Sequence, residues 1–78
     1  MIIKVLGTGC AKCQKLVEAV NEVVAEMNVK AAVVKEEDIV KIMQYGIMST
    51  PGIVINEKVV VSGRLPGKDE IKQFIENS

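Results

Sequence analysis

The chain has 78 residues, about half of them hydrophobic and a quarter charged, with ten basic side chains balancing ten acidic ones and no histidine. That length holds one small core and no second, so residues 1–78 read as a single domain, and the hydrophobic share excludes a disordered chain. Balanced charge without a basic, aromatic-interleaved cluster excludes nucleic acid as a partner, and no apolar run approaches the roughly 20 residues of a membrane span.

Taken in order, residues 2–7 are dense in β-branched and apolar side chains and end at Gly7-Thr8-Gly9, which predicts a buried strand and a sharp turn. Ile2, Ile3, Val5 and Leu6, interrupted by Lys4, are too few for a signal-peptide core, so the expected location is the cytoplasm. A helix follows from about Ala11 to Met27, with Gln14, Lys15, Glu18, Asn21, Glu22 and Glu26 on its wet side and Asn28 as its stop. Val29 to Val34 reads as a second strand covered on both faces, and strand, helix, strand in close succession imply a right-handed parallel crossover. Glu36, Glu37 and Asp38 suit the start of a second helix, with Ile39, Val40, Ile42 and Met43 as its buried side and Gly46 as its end.

Pro51 cannot donate to a strand ladder and so belongs at the mouth of the strand Ile53–Ile55, which a short connection joins to Val59–Ser62 as a hairpin. The Thr50–Pro51 bond is a place where a cis peptide costs little, although a Thr-Pro pair alone reads as an ordinary turn. Lys68 to Glu76 forms a last helix with Ile71, Phe74 and Ile75 inward. The order is βαβαββα.

The chemistry-bearing stretch is Gly9-Cys10-Ala11-Lys12-Cys13, which contains both cysteines of the chain. Two intervening residues at a helix start bring the thiols close enough for an S–S bond of about 2.05 Å. Cys10 precedes the helix, where unpaired N–H groups, the positive end of the helix dipole and the Lys12 cation favour a thiolate. Cys13 falls in register with Leu16, Val17, Val20, Val24 and Met27, which turns its sulfur to the core. Cys10 is therefore the expected nucleophile and Cys13 the resolving thiol. A structural role fits poorly, since so short a loop removes little unfolded-chain entropy. Paired thiolates also suit zinc or copper, but with no histidine and no second cysteine pair, a four-ligand site needs carboxylates, a second subunit or a partner. No resident metal is expected.

With CxxC at the first strand–helix junction and Thr50-Pro51 before the third strand, the sequence resembles the thioredoxin and glutaredoxin superfamily. It is most like the small archaeal and bacterial thioredoxin-like redox-active disulfide proteins. Tyr45-Gly46-Ile47, Thr50-Pro51 and Gly63-Arg64-Leu65-Pro66 repeat the order seen in thioredoxins, so the likeness covers the whole chain. It implies an α/β thioredoxin-like fold: a four-stranded mixed sheet in order 2-1-3-4, the first and third helices on one face and the second on the other. It further implies a cis Pro51 beside the thiols, a Thr50 backbone offered to the substrate chain, and no cofactor beyond the Cys10–Cys13 redox disulfide. Implied partners are protein or small-molecule disulfides as substrates, and a flavoprotein disulfide reductase or a low-molecular-weight thiol such as glutathione as electron donor.

The chain also departs from that pattern. Gly9 stands where thioredoxins carry tryptophan, and Ala11-Lys12 replace Gly-Pro between the cysteines. Lys4 occupies the position of a buried aspartate, and Ser62-Gly63-Arg64 is not the glutathione-holding signature of glutaredoxins. The expected activity is thiol–disulfide exchange by a monomer. The alternative is a metal-binding or metal-delivery protein, and a redox-sensing domain of low turnover is a third reading. The four methionines read as core filler, with Met48 nearest the site, and Tyr45 and Phe74 as packing residues.

Overall fold

The computed structural model describes residues 1–7, 11–47 and 49–77; the expectations on Thr8, Gly9, Cys10 and Met48 fall outside the described residues. The elements are β1 (Ile2–Leu6), α1 (Ala11–Met27), β2 (Ala32–Glu36), α2 (Ile39–Gln44), β3 (Gly52–Ile55), β4 (Lys58–Ser62) and α3 (Lys68–Glu76). The sheet order is β2-β1-β3-β4, with β1 parallel to β2 and antiparallel to β3, and β3 antiparallel to β4. This is the βαβαββα, 2-1-3-4 arrangement of a thioredoxin-like fold.

Alternation along β1 divides the core in two. Ile3 and Val5 face α1 and α3, where they join Leu16, Val20, Val23, Ile53, Ile55, Ile71 and Ile75. Leu6 faces α2 and packs with Val54, Ile42, Ile47 and the ring of Tyr45. The wet face of α1 is as expected. Its buried stripe runs Cys13, Leu16, Val20, Val23, whereas Val17, Val24 and Met27 lie at the margin.

Two expectations need correction. β2 runs Ala32–Glu36 rather than Val29–Val34, because the end of α1 consumes the residues before it, and Glu36 closes the strand instead of opening α2. Asn28 takes φ +53, its N–H donates to the Ala25 carbonyl at 3.2 Å, and the Val29 N–H donates to the Val24 carbonyl at 3.2 Å. That pair of bonds is a Schellman turn. Nor is β2 covered on both faces: Ala32 and Val34, which point to one face, are exposed, Val34 at 44%. The second correction concerns α2, where only Ile42 is buried and Ile39, Val40 and Met43 are 59, 63 and 66% exposed. A helix of six residues makes fewer than two turns and can aim little more than one side chain at a narrow sheet. Asp38 caps it, its carboxylate accepting from the Val40 N–H at 2.9 Å.

The β3–β4 hairpin turns through Asn56 and Glu57, both at positive φ (49° and 70°), the geometry of a two-residue type I′ turn. Phe74 is half-buried against the larger core. No helix among the described residues is long and apolar enough to cross a membrane.

Candidate active site

The site is built where β1 hands the chain to α1. Cys13 lies in the first turn of α1 and is only 4% exposed. It rests against Gly7: a Cβ built on Gly7 collides with Cys13 Sγ and stands 2.9 Å from Cys13 Cβ. Gly7 thus serves as a spacer for the sulfur, a role the sequence reading missed by assigning it only to the turn. Its N–H donates to the Glu36 carbonyl at 3.0 Å, so strand pairing to β2 continues to the edge of the site.

β3 brings the second motif to the same place. Leu6 pairs with Gly52 across the β1–β3 ladder, so the residues just beyond each, Gly7 and Pro51, lie at one end of the sheet. The Thr50–Pro51 peptide is cis, Pro51 is buried, and its carbonyl accepts from the Gly63 N–H at 2.9 Å. Gly63 holds φ +80, and a Cβ there would approach Ser49 Cβ to 3.0 Å, so the loop after β4 packs closely on the approach to Pro51. Thr50, Ala11 and Lys12 are exposed around this end. Cys13, which rests on Gly7, and Thr50–Pro51, which precede Gly52, are thus placed at the same end of the sheet, where α1 opens with Ala11 and Lys12. Cys10 and Gly9 are outside the described residues.

Lys4 is turned to the α2 face of the sheet, the face opposite the Gly7–Cys13 contact. Its ammonium donates to Tyr45 Oη at 2.8 Å and to Glu57 Oε1 at 3.4 Å, and Tyr45 Oη donates to Glu57 Oε2 at 3.3 Å. The hydrogen bond to Tyr45, with Glu57 behind it, holds Lys4 above the ordinary lysine pKa. These groups line a polar cleft of about 380 Å³ with Glu36, Lys41 and Gln44. Tyr45 is thus more than a packing residue. The signal for it in the sequence is a lysine set in an otherwise apolar strand. Among the described residues, no group of three or more histidine, cysteine, aspartate or glutamate side chains comes together as a metal site.

A family model for the thioredoxin domain matches residues 1–76. The chain is similar to a thioredoxin of Methanocaldococcus jannaschii, with 32% identity over 77 residues that cover 99% of this chain and 88% of that one. It is likewise similar to a thioredoxin of Methanothermobacter thermautotrophicus, with 33% identity over 75 residues, 96% of this chain and 97% of the relative.

Proposed function

Because the chain belongs to the thioredoxin domain family, whose role is thiol–disulfide oxidoreduction, we propose that it reduces disulfides through Cys10 and Cys13, acting in a reducing compartment such as the cytoplasm. The observation that carries this reading is the placement of a buried Cys13 in the first turn of α1 at the sheet end that also receives Thr50–Pro51. In the proposed cycle the Cys10 thiolate attacks one sulfur of the substrate disulfide, forming a mixed disulfide and expelling the other sulfur as a thiolate. Cys13, deprotonated in turn, attacks the Cys10 sulfur, releasing the second substrate thiolate and leaving Cys10–Cys13 oxidised. Two electrons pass from the dithiol to the substrate, and a disulfide reductase or a low-molecular-weight thiol returns them.

Two further features support the assignment of roles. A nucleophile ahead of a helix N-terminus gains from the dipole and the unpaired N–H groups, whereas a sulfur packed on Gly7 is shielded until an adjacent mixed disulfide forms. Thr50 is an exposed residue, and an extended substrate segment pairing with it main chain to main chain would present its disulfide to Cys10.

The test is a redox titration of metal-free protein in thiol–disulfide buffers, counting alkylated cysteines by mass. A reversible two-electron transition at about −180 to −320 mV is expected. Cys10→Ser should abolish reduction of a model protein disulfide, and Cys13→Ser should accumulate the mixed disulfide. If no intramolecular disulfide forms reversibly, the oxidoreductase reading fails, and stoichiometric zinc or copper in the anaerobically purified protein then identifies metal delivery.

A further inference from the structure

The sheet has two edges, and they are not alike. β4 carries an irregularity: Ile53 pairs with Val61 and Val54 with Val59, so Val60 is bulged out of register. A bulge of this kind twists an edge away from further pairing. β2 pairs with β1 in unbroken register from Ala32 to Glu36 and has no strand on its other side.

The bonds to β1 fix which backbone groups of β2 point outward. The Ala32 N–H donates to the Met1 carbonyl at 2.9 Å, and the Glu36 carbonyl accepts from the Gly7 N–H at 3.0 Å. Residues along a parallel ladder alternate in the side they face. Ala32, Val34 and Glu36 are therefore turned to β1, and the N–H and C=O groups of Ala31, Val33 and Lys35 point away from the sheet.

The side chains beside this edge are apolar and under-covered. Ile2, Ala32 and Val34 share the α2 face, and the six-residue α2 covers only the Leu6–Val54 end of it. Ile2 remains 50% and Val34 44% exposed.

We propose that the β2 edge is a self-association surface, on which a second copy of this chain docks antiparallel about a two-fold axis at Val33. Charge selects this occupant and this register. Val33 facing its symmetry mate sets Ala31 against the partner's Lys35, Ala32 against the partner's Val34, and Lys30 against the partner's Glu36. The Lys30 pairing occurs twice by symmetry. Outward-facing backbone groups meet outward-facing ones throughout, as an antiparallel ladder requires. Moving the axis to Val34 sets Ala32 against Glu36 and Val33 against Lys35, losing both the apolar pairing and the ion pair. Lysines on an edge strand normally repel a second strand. Here Lys35 meets only the methyl group of an alanine, and its own Glu37 stands 3.6 Å from its ammonium. The sequence read alone leads to a monomer: the order 2-1-3-4 already makes β2 an edge, but only the structure shows that Ile2 and Val34 beside it are left exposed.

Sedimentation equilibrium from about 10 µM to 1 mM tests the proposal, with folding checked by circular dichroism. The wild-type mass should rise from monomer toward dimer across this range, a weak association in keeping with the small area a single strand edge offers. K30E and E36K each place like charges across the axis and should weaken self-association at least tenfold. An equimolar mixture of the two variants pairs opposite charges at both positions and should recover the dimer. V34K, at an exposed side chain, should also weaken it. A wild-type mass that stays monomeric to 1 mM overturns the proposal. So does a dimer indifferent to K30E, E36K and V34K, or one that the mixture fails to restore.

Discussion

Replacing Gly7 with alanine tests the contact on which the candidate site rests. The added Cβ runs into Cys13 Sγ and comes within 2.9 Å of Cys13 Cβ, closer than side-chain carbons tolerate. Overpacking of this kind costs about 1–3 kcal/mol. Gly7 does not hold a positive φ, so alanine also gains about 0.4–1 kcal/mol by restricting the unfolded chain. The close approach wins, and the net loss is roughly 1–2 kcal/mol. With an unfolding entropy of about 2.1 cal/mol/K per residue, 78 residues give about 160 cal/mol/K, and Tm should fall by about 6–12 °C. Thermal unfolding of the reduced protein followed by circular dichroism reads this directly. Displacement of the sulfur should also speed alkylation of Cys13 in a Cys10→Ser background. A Tm equal to or above that of the unsubstituted protein would refute the packing of Cys13 on Gly7, because the entropic gain would then stand unopposed.

Leu16, fully buried beside Ile3 and Val5, should cost about 2–5 kcal/mol on truncation to alanine. That is a large part of the roughly 4–12 kcal/mol expected of a chain this size, so the urea midpoint should drop sharply. Val40→Lys and Met43→Lys, on the outer side of α2, should stay within about 0.5 kcal/mol, or about 3 °C in Tm; a larger loss would show that this face is covered in solution. Arg64 grips Glu70 through two hydrogen bonds of 2.7 and 3.0 Å, which hold the Glu70 carboxyl below its usual 4.5. A carboxylate with a lowered pKa contributes stability that is present above the unfolded value and disappears as pH falls through the folded one. The Tm difference between the unsubstituted protein and Glu70→Gln should therefore be greatest above pH 4.5 and close in more acidic solution. A difference that persists unchanged at pH 2–3 would assign it to something other than this ion pair.

The parts of the fold that could be read ahead were those where local and long-range signals agree. The period of α1, its polar face and its Asn28 stop all mark one element, and the hairpin follows from two apolar runs separated by a connection too short for anything but a reversal. The start of β2 was hidden because Val29, Lys30, Ala31 and Ala32 carry no local sign of where the helix-ending turn gives way to strand. Only the bonds to Val24 and Ala25 decide it. The outer face of α2 was misread because Ile39, Val40 and Met43 look like a buried stripe unless the helix is known to be six residues long. In the site, Cys13 announced itself by motif and register. Gly7 did not, since a missing side chain reads the same whether it frees a turn or makes room for a sulfur.

The alternation of β1 explains why a single short strand serves both regions. Ile3, Val5 and Gly7 face α1, so the odd positions form the core floor and end in the gap that receives Cys13. Lys4 and Leu6 face α2, so the even positions carry a charged group tied to Tyr45 and Glu57 and then a core leucine. A strand covered by helices on both sides is usually apolar throughout. Here α2 is too short to cover its side, and the uncovered length has two different outcomes. At position 4 the sheet face is capped by a lysine whose stem lies on the surface while its head is held by Tyr45. At Ile2 and Val34 nothing among the described residues supplies that cover, and the apolar surface stays in the open beside the unpaired edge of β2. The brevity of one helix thus accounts for both the polar cleft and the exposed apolar side chains beside the β2 edge, while the odd-numbered face that positions Cys13 is left intact.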